Sequence, residues 1–227
     1  NVHVHYFCHA PSNEPTHFIC HRSFEEKRLK QNCARLVTCN DWVANGQKVL
    51  EDKRTLVFAA DQSVRWIDFK VDLIASHGRV EFGDTKEGTF AIRVAGMLNA
   101  DEPGSGHIVN SRGQRDGQAW GQHANWVNYY GSLNDTAVGI AIFSHPSNPR
   151  HPCRWHVRGY GLFAANPFGE IDFPDPRPDF RTVQIPAGKS LTLAYRVVLH
   201  NGIPESARLH ERYQVFAKAS DLSCKLP

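Results

Sequence analysis

At 227 residues, with 41% hydrophobic and 22% charged residues, the chain has the length and composition of one large globular domain. Its formal net charge of +3, with thirteen histidines counted as neutral and no run of Lys and Arg, excludes an electrostatic nucleic-acid stripe. No apolar run approaches the eighteen or so residues that a membrane-spanning helix needs, so neither nucleic acid nor membrane is an expected partner.

No signal peptide is visible at Asn1 and no initiating Met precedes it, so the chain reads as a processed or trimmed product, with export left open. Six cysteines stand at 8, 20, 33, 39, 153 and 224. They form no C-x-x-C pair. Buried free thiols and one or two bridges both remain open at this point.

In chain order, His17 and His21 stand four apart, as on a helix face, but Pro15 and the β-branched Thr16 and Ile19 argue against a helix there. Ser23–Leu36 opens with Ser-x-x-Glu, a capping box, and predicts a helix. Residues 1–54 read as an N-terminal segment packing on a domain of residues 55–227, the whole forming one unit. Strand signals then dominate. Ile67, Phe69, Val71 and Leu73 alternate with Trp66, Asp68, Lys70 and Asp72, the period-two pattern of a half-buried strand. Phe90–Leu98 sets Arg93 opposite Phe90, Ile92 and Val94. Thr136–Phe143 is apolar on both faces, as in a central strand. Ser190–His200 puts Leu191, Leu193, Tyr195, Val197 and Leu199 on one side, Arg196 and His200 on the other. Clusters of Gly, Asn, Asp and Pro punctuate these runs. Leu209, Tyr213 and Phe216 recur at helical spacing after Pro204. Many strands, short turns and one or two short helices predict an all-β, antiparallel sandwich.

The segment His145–Gly169 is the most unusual. It holds three histidines, three arginines, a tryptophan, four prolines and three glycines in twenty-five residues. Arg154–Phe163 reads as one strand, which puts His156, Arg158 and Tyr160 on one face and Trp155 and Val157 on the other. If the strands carrying Arg93, Arg158, Arg196 and His200 share one sheet, its outer face becomes a concave plate of cations and rings. Such a plate suits polyhydroxylated or anionic small molecules, with rings stacking on sugar faces and Arg and His donating to oxygens. An ordinary solvated sheet face is the alternative. Trp120–Tyr130 adds Trp120, His123 and Trp126, each able to serve as sugar platform or as core.

Metal ligation is the next candidate. His145, His151 and His156, or His3, His5 and His9, supply the right atoms, but neither set has the spacing of a zinc motif, and no cofactor is expected. The turn Gly83–Gly88 sets Asp84, Lys86 and Glu87 side by side between two strands. Alone it is a charged hairpin turn; beside histidines, Lys86 or Glu87 gains a partner for proton transfer. No phosphate loop, G-x-S-x-G elbow or H-E-x-x-H occurs.

Several motifs in fixed order resemble a bacterial family of unknown function labelled "methane oxygenase PmoA". They are Phe82–Val94, Ile108–Gly113, Trp120–Gly131, Val138–Arg150, Trp155–Gly169 and Tyr195–Gly202, covering residues 55 to 218. His17–Phe24 is similar to a degraded form of that family's opening His-rich motif. The stretch through Cys39 departs from the pattern, and the usual opening strands are not recognised. The resemblance implies a galactose-mutarotase-like supersandwich from a sugar-degradation setting, with the site on the concave sheet. The membrane subunit of the true oxygenase is a poor guide, since no spanning segment exists here.

These readings converge on a carbohydrate-active protein whose partner is a small sugar or glycoside. His145 and His156 are the expected acid–base pair, assisted by Lys86 or Glu87. Arg93, Arg158, Arg196 and His200 would hold the substrate, and Trp120, His123, Asn148 and Tyr160 would shape the pocket. A non-catalytic carbohydrate-binding module and a metal-dependent oxygenase are the alternatives.

Overall fold

The computed structural model describes residues 17–30, 33–87, 90–101 and 106–220. The described residues form an antiparallel β architecture built on one large sheet. Its eight strands are β1 (His17–Lys30), β2 (Cys33–Ala44), β3 (Gln47–Ala60), β4 (Val64–Ile74), β7 (Gly106–Asn110), β8 (Trp126–Leu133), β9 (Thr136–Ser144) and β13 (Ser190–Asn201), in the order β1-β2-β3-β4-β13-β9-β8-β7. A three-stranded sheet faces it, with β6 (Phe90–Arg93), β10 (Arg154–Val157) and β11 (Leu162–Asn166) in the order β10-β11-β6. A two-stranded ribbon joins β5 (Val80–Phe82) to β12 (Val183–Ile185). One helix, α1 (Leu209–Ala217), follows the last strand. No helix among the described residues is long and apolar enough to cross a membrane.

Two apolar cores lie on opposite faces of the large sheet. The first packs Val71, Leu193, Tyr195, Ile142 and Tyr129 against Trp155, Val157, Phe163 and Ala165 of the small sheet. The rings of Phe90 and Tyr195 stack across this gap at 4.6 Å. Each fully buried Trp, Phe or Leu there contributes about 1.5–3 kcal/mol. The second core packs Trp66, Phe143 and Val198 under Leu209, Tyr213 and Phe216 of α1, the three positions that helical spacing marks in the sequence. Strand β13 is buried on both faces by the two cores. In β4, Val71 and Leu73 face the first core and Val64 and Trp66 the second, so this strand too is covered on both faces rather than half-exposed.

Turn chemistry sets the hairpins. Asn45-Gly46 and Asn134-Asp135 both adopt positive φ, at 49° and 75° and at 48° and 62°. This two-residue geometry matches strand twist. It joins β2 to β3 at Ala44↔Gln47 and β8 to β9 at Leu133↔Thr136.

Three expectations are corrected. Ser23–Leu36 is not helical: β1 pairs with β2 from His17↔Ala44 to Lys30↔Cys33, so sheet pairing overrides local helix propensity and the opening strands are present. Arg154–Phe163 is not one strand. Gly161, at φ +90°, turns the chain, and β10 and β11 form a hairpin. The 83–87 turn closes no hairpin either, because β5 and β6 belong to different sheets. Among the cysteines, Cys33 is disulfide-bonded, while Cys20, Cys39 and Cys153 are free.

Candidate functional site

Strand parity still governs β10. Trp155 and Val157 enter the core between the sheets, and Arg154 and His156 point to the outer face of the small sheet. The hairpin then carries Arg158 beside them. The Tyr129 hydroxyl, projecting from the large sheet, pins that turn by accepting the Arg158 N–H at 3.0 Å and donating to Leu162 O at 2.8 Å. Burial holds this phenol well above its ordinary pKa, so it stays a donor.

His156 is 3% exposed. The Arg158 Nε–H donates to its Nε2 at 3.1 Å. A guanidinium cannot accept, so Nε2 keeps its lone pair and the neutral ring carries its proton on Nδ1. That Nδ1 is buried, the Lys86 main chain offers the ring a hydrogen bond, and Glu87 is near enough to favour the charged ring. Burial first, and the Arg158 charge second, nevertheless hold the His156 pKa below its ordinary value.

The Arg158 guanidinium lies over the Trp120 ring, 4.7 Å from its centroid. No carboxylate among the described residues pairs with it. Phe173 is the hub beneath, with its ring 5.7 Å from Trp120, 6.2 Å from His156 and 5.9 Å from the Arg154 guanidinium. Arg154 is buried and paired with the equally buried Glu170, and it also donates to the carbonyls of Gly121, Pro174 and Asp175. Glu170 further accepts the Arg177 N–H at 2.9 Å. His123 belongs to the same rim: its Nδ1 meets Pro152 O at 2.7 Å and Arg177 Nη2 meets its Nε2 at 3.1 Å. Burial lowers its pKa.

Two loops wall this cleft. Asp84 accepts the amides of Glu170 and Ile171, Asp172 accepts the amide of Lys86, and Asn166 donates to Thr85 O. Among the described residues, the Glu87 carboxylate forms no hydrogen bond or ion pair. It is therefore an uncommitted acceptor within electrostatic reach of His156.

The structure divides the expected set between two regions. His156, Arg158, Trp120, His123, Lys86 and Glu87 surround the cleft. Arg93 and Tyr160 sit at its end, with the Arg93 guanidinium 5.1 Å from the Tyr160 ring centroid; Tyr160 has left the strand face for the turn and is exposed. His145, Asn148, Arg196 and His200 are elsewhere. His145 packs edge-on to Phe216 and its Nε2 meets Ala219 O at 3.1 Å, on the α1 side of the large sheet. Asn148 is buried and exchanges two hydrogen bonds with the Ala194 main chain. Arg196 forms a two-pronged pair with buried Asp68 and lies over Trp66 and Phe216. His200, 5% exposed, meets Asn128 Oδ1 at 2.9 Å. Parity correctly set Arg196 and His200 opposite Leu193, Tyr195 and Val197, but that second face is covered rather than solvated, and β13 lies in a different sheet from β6 and β10, so no single plate forms. Nor are His145 and His156 assembled as an acid–base pair.

Arg154, Glu170, Phe173 and Arg177 escaped the sequence reading. Arg154 shares the parity of His156 and could have been found by it. The other three lie in an irregular Pro-rich stretch whose pattern gives no sign of where it folds. A recess of about 220 Å³ under α1 includes Trp66, Arg196, Arg208 and Arg212, but each arginine there already has an acid partner. Among the described residues no three His, Cys, Asp or Glu side chains group to hold a metal ion; His3, His5 and His9 lie outside the described residues.

A family model described as a family of unknown function (DUF6807) matches residues 5–214. No curated protein matches. Two similar solved structures are the α-galactosidase from Lactobacillus brevis, at 10% identity and a TM-score of 0.27, and the GH36 α-galactosidase AgaB from Geobacillus stearothermophilus, at 13% and 0.30. The matches cover 80% and 82% of this chain and 27% of each galactosidase. The chain thus spans about a quarter of their length, and at these TM-scores the likeness carries no argument about activity.

Proposed function

The chain belongs to this family of unknown function, and from its own geometry we propose that it recognises a sugar in the cleft on the outer face of the three-stranded sheet. One observation carries the reading: the Arg158 guanidinium lies over the Trp120 ring, without an acid partner among the described residues, and donates to the buried His156 beside it. An indole face and forked donors are the groups that bind a ring bearing several oxygens. Lys86, Glu87, Arg93 and Tyr160 border this set.

A second reading, catalysis, is favoured by the uncommitted Glu87 carboxylate within electrostatic reach of His156. Glu87 would carry the proton and His156 would hold the substrate oxygen, a division of labour that does not need the distant His145. The metal of an oxygenase finds no fitting donor group among the described residues.

Isothermal titration of the full chain against a panel of mono- and oligosaccharides tests the first reading, with product analysis alongside for the second. Binding that Trp120→Ala abolishes supports recognition. Equal binding by the variant overturns it. Conversion that disappears in Glu87→Gln supports catalysis, and binding without conversion rejects it.

A further inference from the structure

The cleft has more hydrogen-bond donors than acceptors. Apart from Glu87, its acids are committed: Glu170 to Arg154 and the Arg177 amide, Asp84 to the amides of Glu170 and Ile171, Asp172 to the Lys86 amide. Several donors are not. The indole Nε1 of Trp120 and Nε of Arg154 are buried without a partner. Both belong to residues packed around Phe173. Arg158 uses only its Nε, toward His156, and its two Nη groups meet no acceptor among the described residues. Nearly every buried polar group in a folded protein is satisfied, so several such donors in one place are informative.

A sugar hydroxyl brings a donor with each acceptor and cannot correct the imbalance. A carboxylate brings acceptors alone, and its planar pair of oxygens matches the two Nη groups of a guanidinium. The Trp120 ring beneath and the bond to His156 hold that guanidinium in place, so less side-chain entropy is lost when an anion docks. The other cations near the fold's recesses do not offer this. Arg196, Arg208 and Arg212 already face Asp68, Glu211 and Asp61. Glu87, an acceptor only, suits the hydroxyl-bearing part of the same ligand and repels its acid group toward Arg158.

We propose that the ligand is an acidic sugar whose carboxylate is gripped by Arg158 against Trp120. The proposal rests on the sugar reading above and narrows it to sugar acids of the uronate class.

Titration of the full chain with glucuronate and galacturonate, their methyl esters, the neutral parent sugars and a simple carboxylate such as lactate tests it. The acids should bind at least about tenfold more tightly than their esters, because a charged hydrogen bond is about twice as strong as a neutral one. Arg158→Gln should erase that difference and keep the weaker affinity for the neutral sugars. Acids and esters binding alike, with neutral sugars also bound, would overturn the acidic preference and leave sugar recognition standing. Lactate binding as tightly as the uronates would overturn the sugar reading and leave the carboxylate grip standing. No binding by any of them overturns both. Should Arg158→Gln not fold, the acid-against-ester comparison in the unaltered chain decides alone.

Discussion

Arg158 donates from Nε to Nε2 of His156 at 3.1 Å, and this single contact selects both the tautomer and the charge of a ring that is 3% exposed. Protonating Nε2 would break the bond and set two cations against each other. Heteronuclear NMR should show His156 neutral, with its proton on Nδ1, at pH values where a free histidine is already partly charged. In Arg158→Gln the titration should move back toward the ordinary range without reaching it, because burial is the larger cause. An unmoved titration would remove Arg158 as a cause.

Five histidines, at 123, 145, 151, 156 and 200, have pKa values lowered from 6.5, in each case chiefly by burial. Between 6.5 and those lower folded values the unfolded chain binds more protons than the native one. Stability is therefore full above about pH 6.5 and falls as the pH drops through that window. Glu170, where burial raises the pKa but Arg154 and the Arg177 amide together outweigh it and leave it below 4.5, adds its loss only at lower pH. Urea midpoints should decline between pH 7 and pH 5. A flat profile there is the contrary result.

The buried pair of Arg154 and Glu170 ties the outer face to the 170–177 loop. Glu170→Ala leaves a guanidinium sealed without its anion. Chemical denaturation should show a loss of about 3–5 kcal/mol. A cost under 1 kcal/mol would mean that water reaches Arg154 freely.

Arg196 and Asp68 make the corresponding test on the other side of the large sheet. Asp68 is 1% exposed, and Arg196→Ala strands its charge. The variant should lose about 3 kcal/mol of stability while sugar affinity stays unchanged. Altered affinity with unaltered stability would return Arg196 to the ligand site.

Period-two alternation located β4 and β13 from the residues alone, and an apolar run on both faces located β9: Val71 and Leu73 in β4 and Leu193, Tyr195 and Val197 in β13 enter one core, while β9 gives Ile142 to that core and Ala141 and Phe143 to the other. It could not tell which sheet a strand joins, and that choice separates Arg196 and His200 from His156 and Arg158. Ser23 and Glu26 imitate a helix start because capping chemistry is local, whereas the pairing of β1 with β2 is not. Gly159 and Gly161 mark the turn that ends β10, a signal present in the sequence and outweighed by the apparent run from Arg154 to Phe163. Phe173 and Glu170 gave no signal, since an irregular stretch acquires its place only through partners such as Asp84, far away along the chain.

The bonds from Asp84 to the amides of Glu170 and Ile171, and from Asp172 to the amide of Lys86, stitch together segments 86 and 87 residues apart. Neither wall of the cleft can swing outward by itself. Opening must lift both as a single flap, so the amides of Lys86, Glu170 and Ile171 should exchange with deuterium at one shared rate, and a bound molecule should slow all three together.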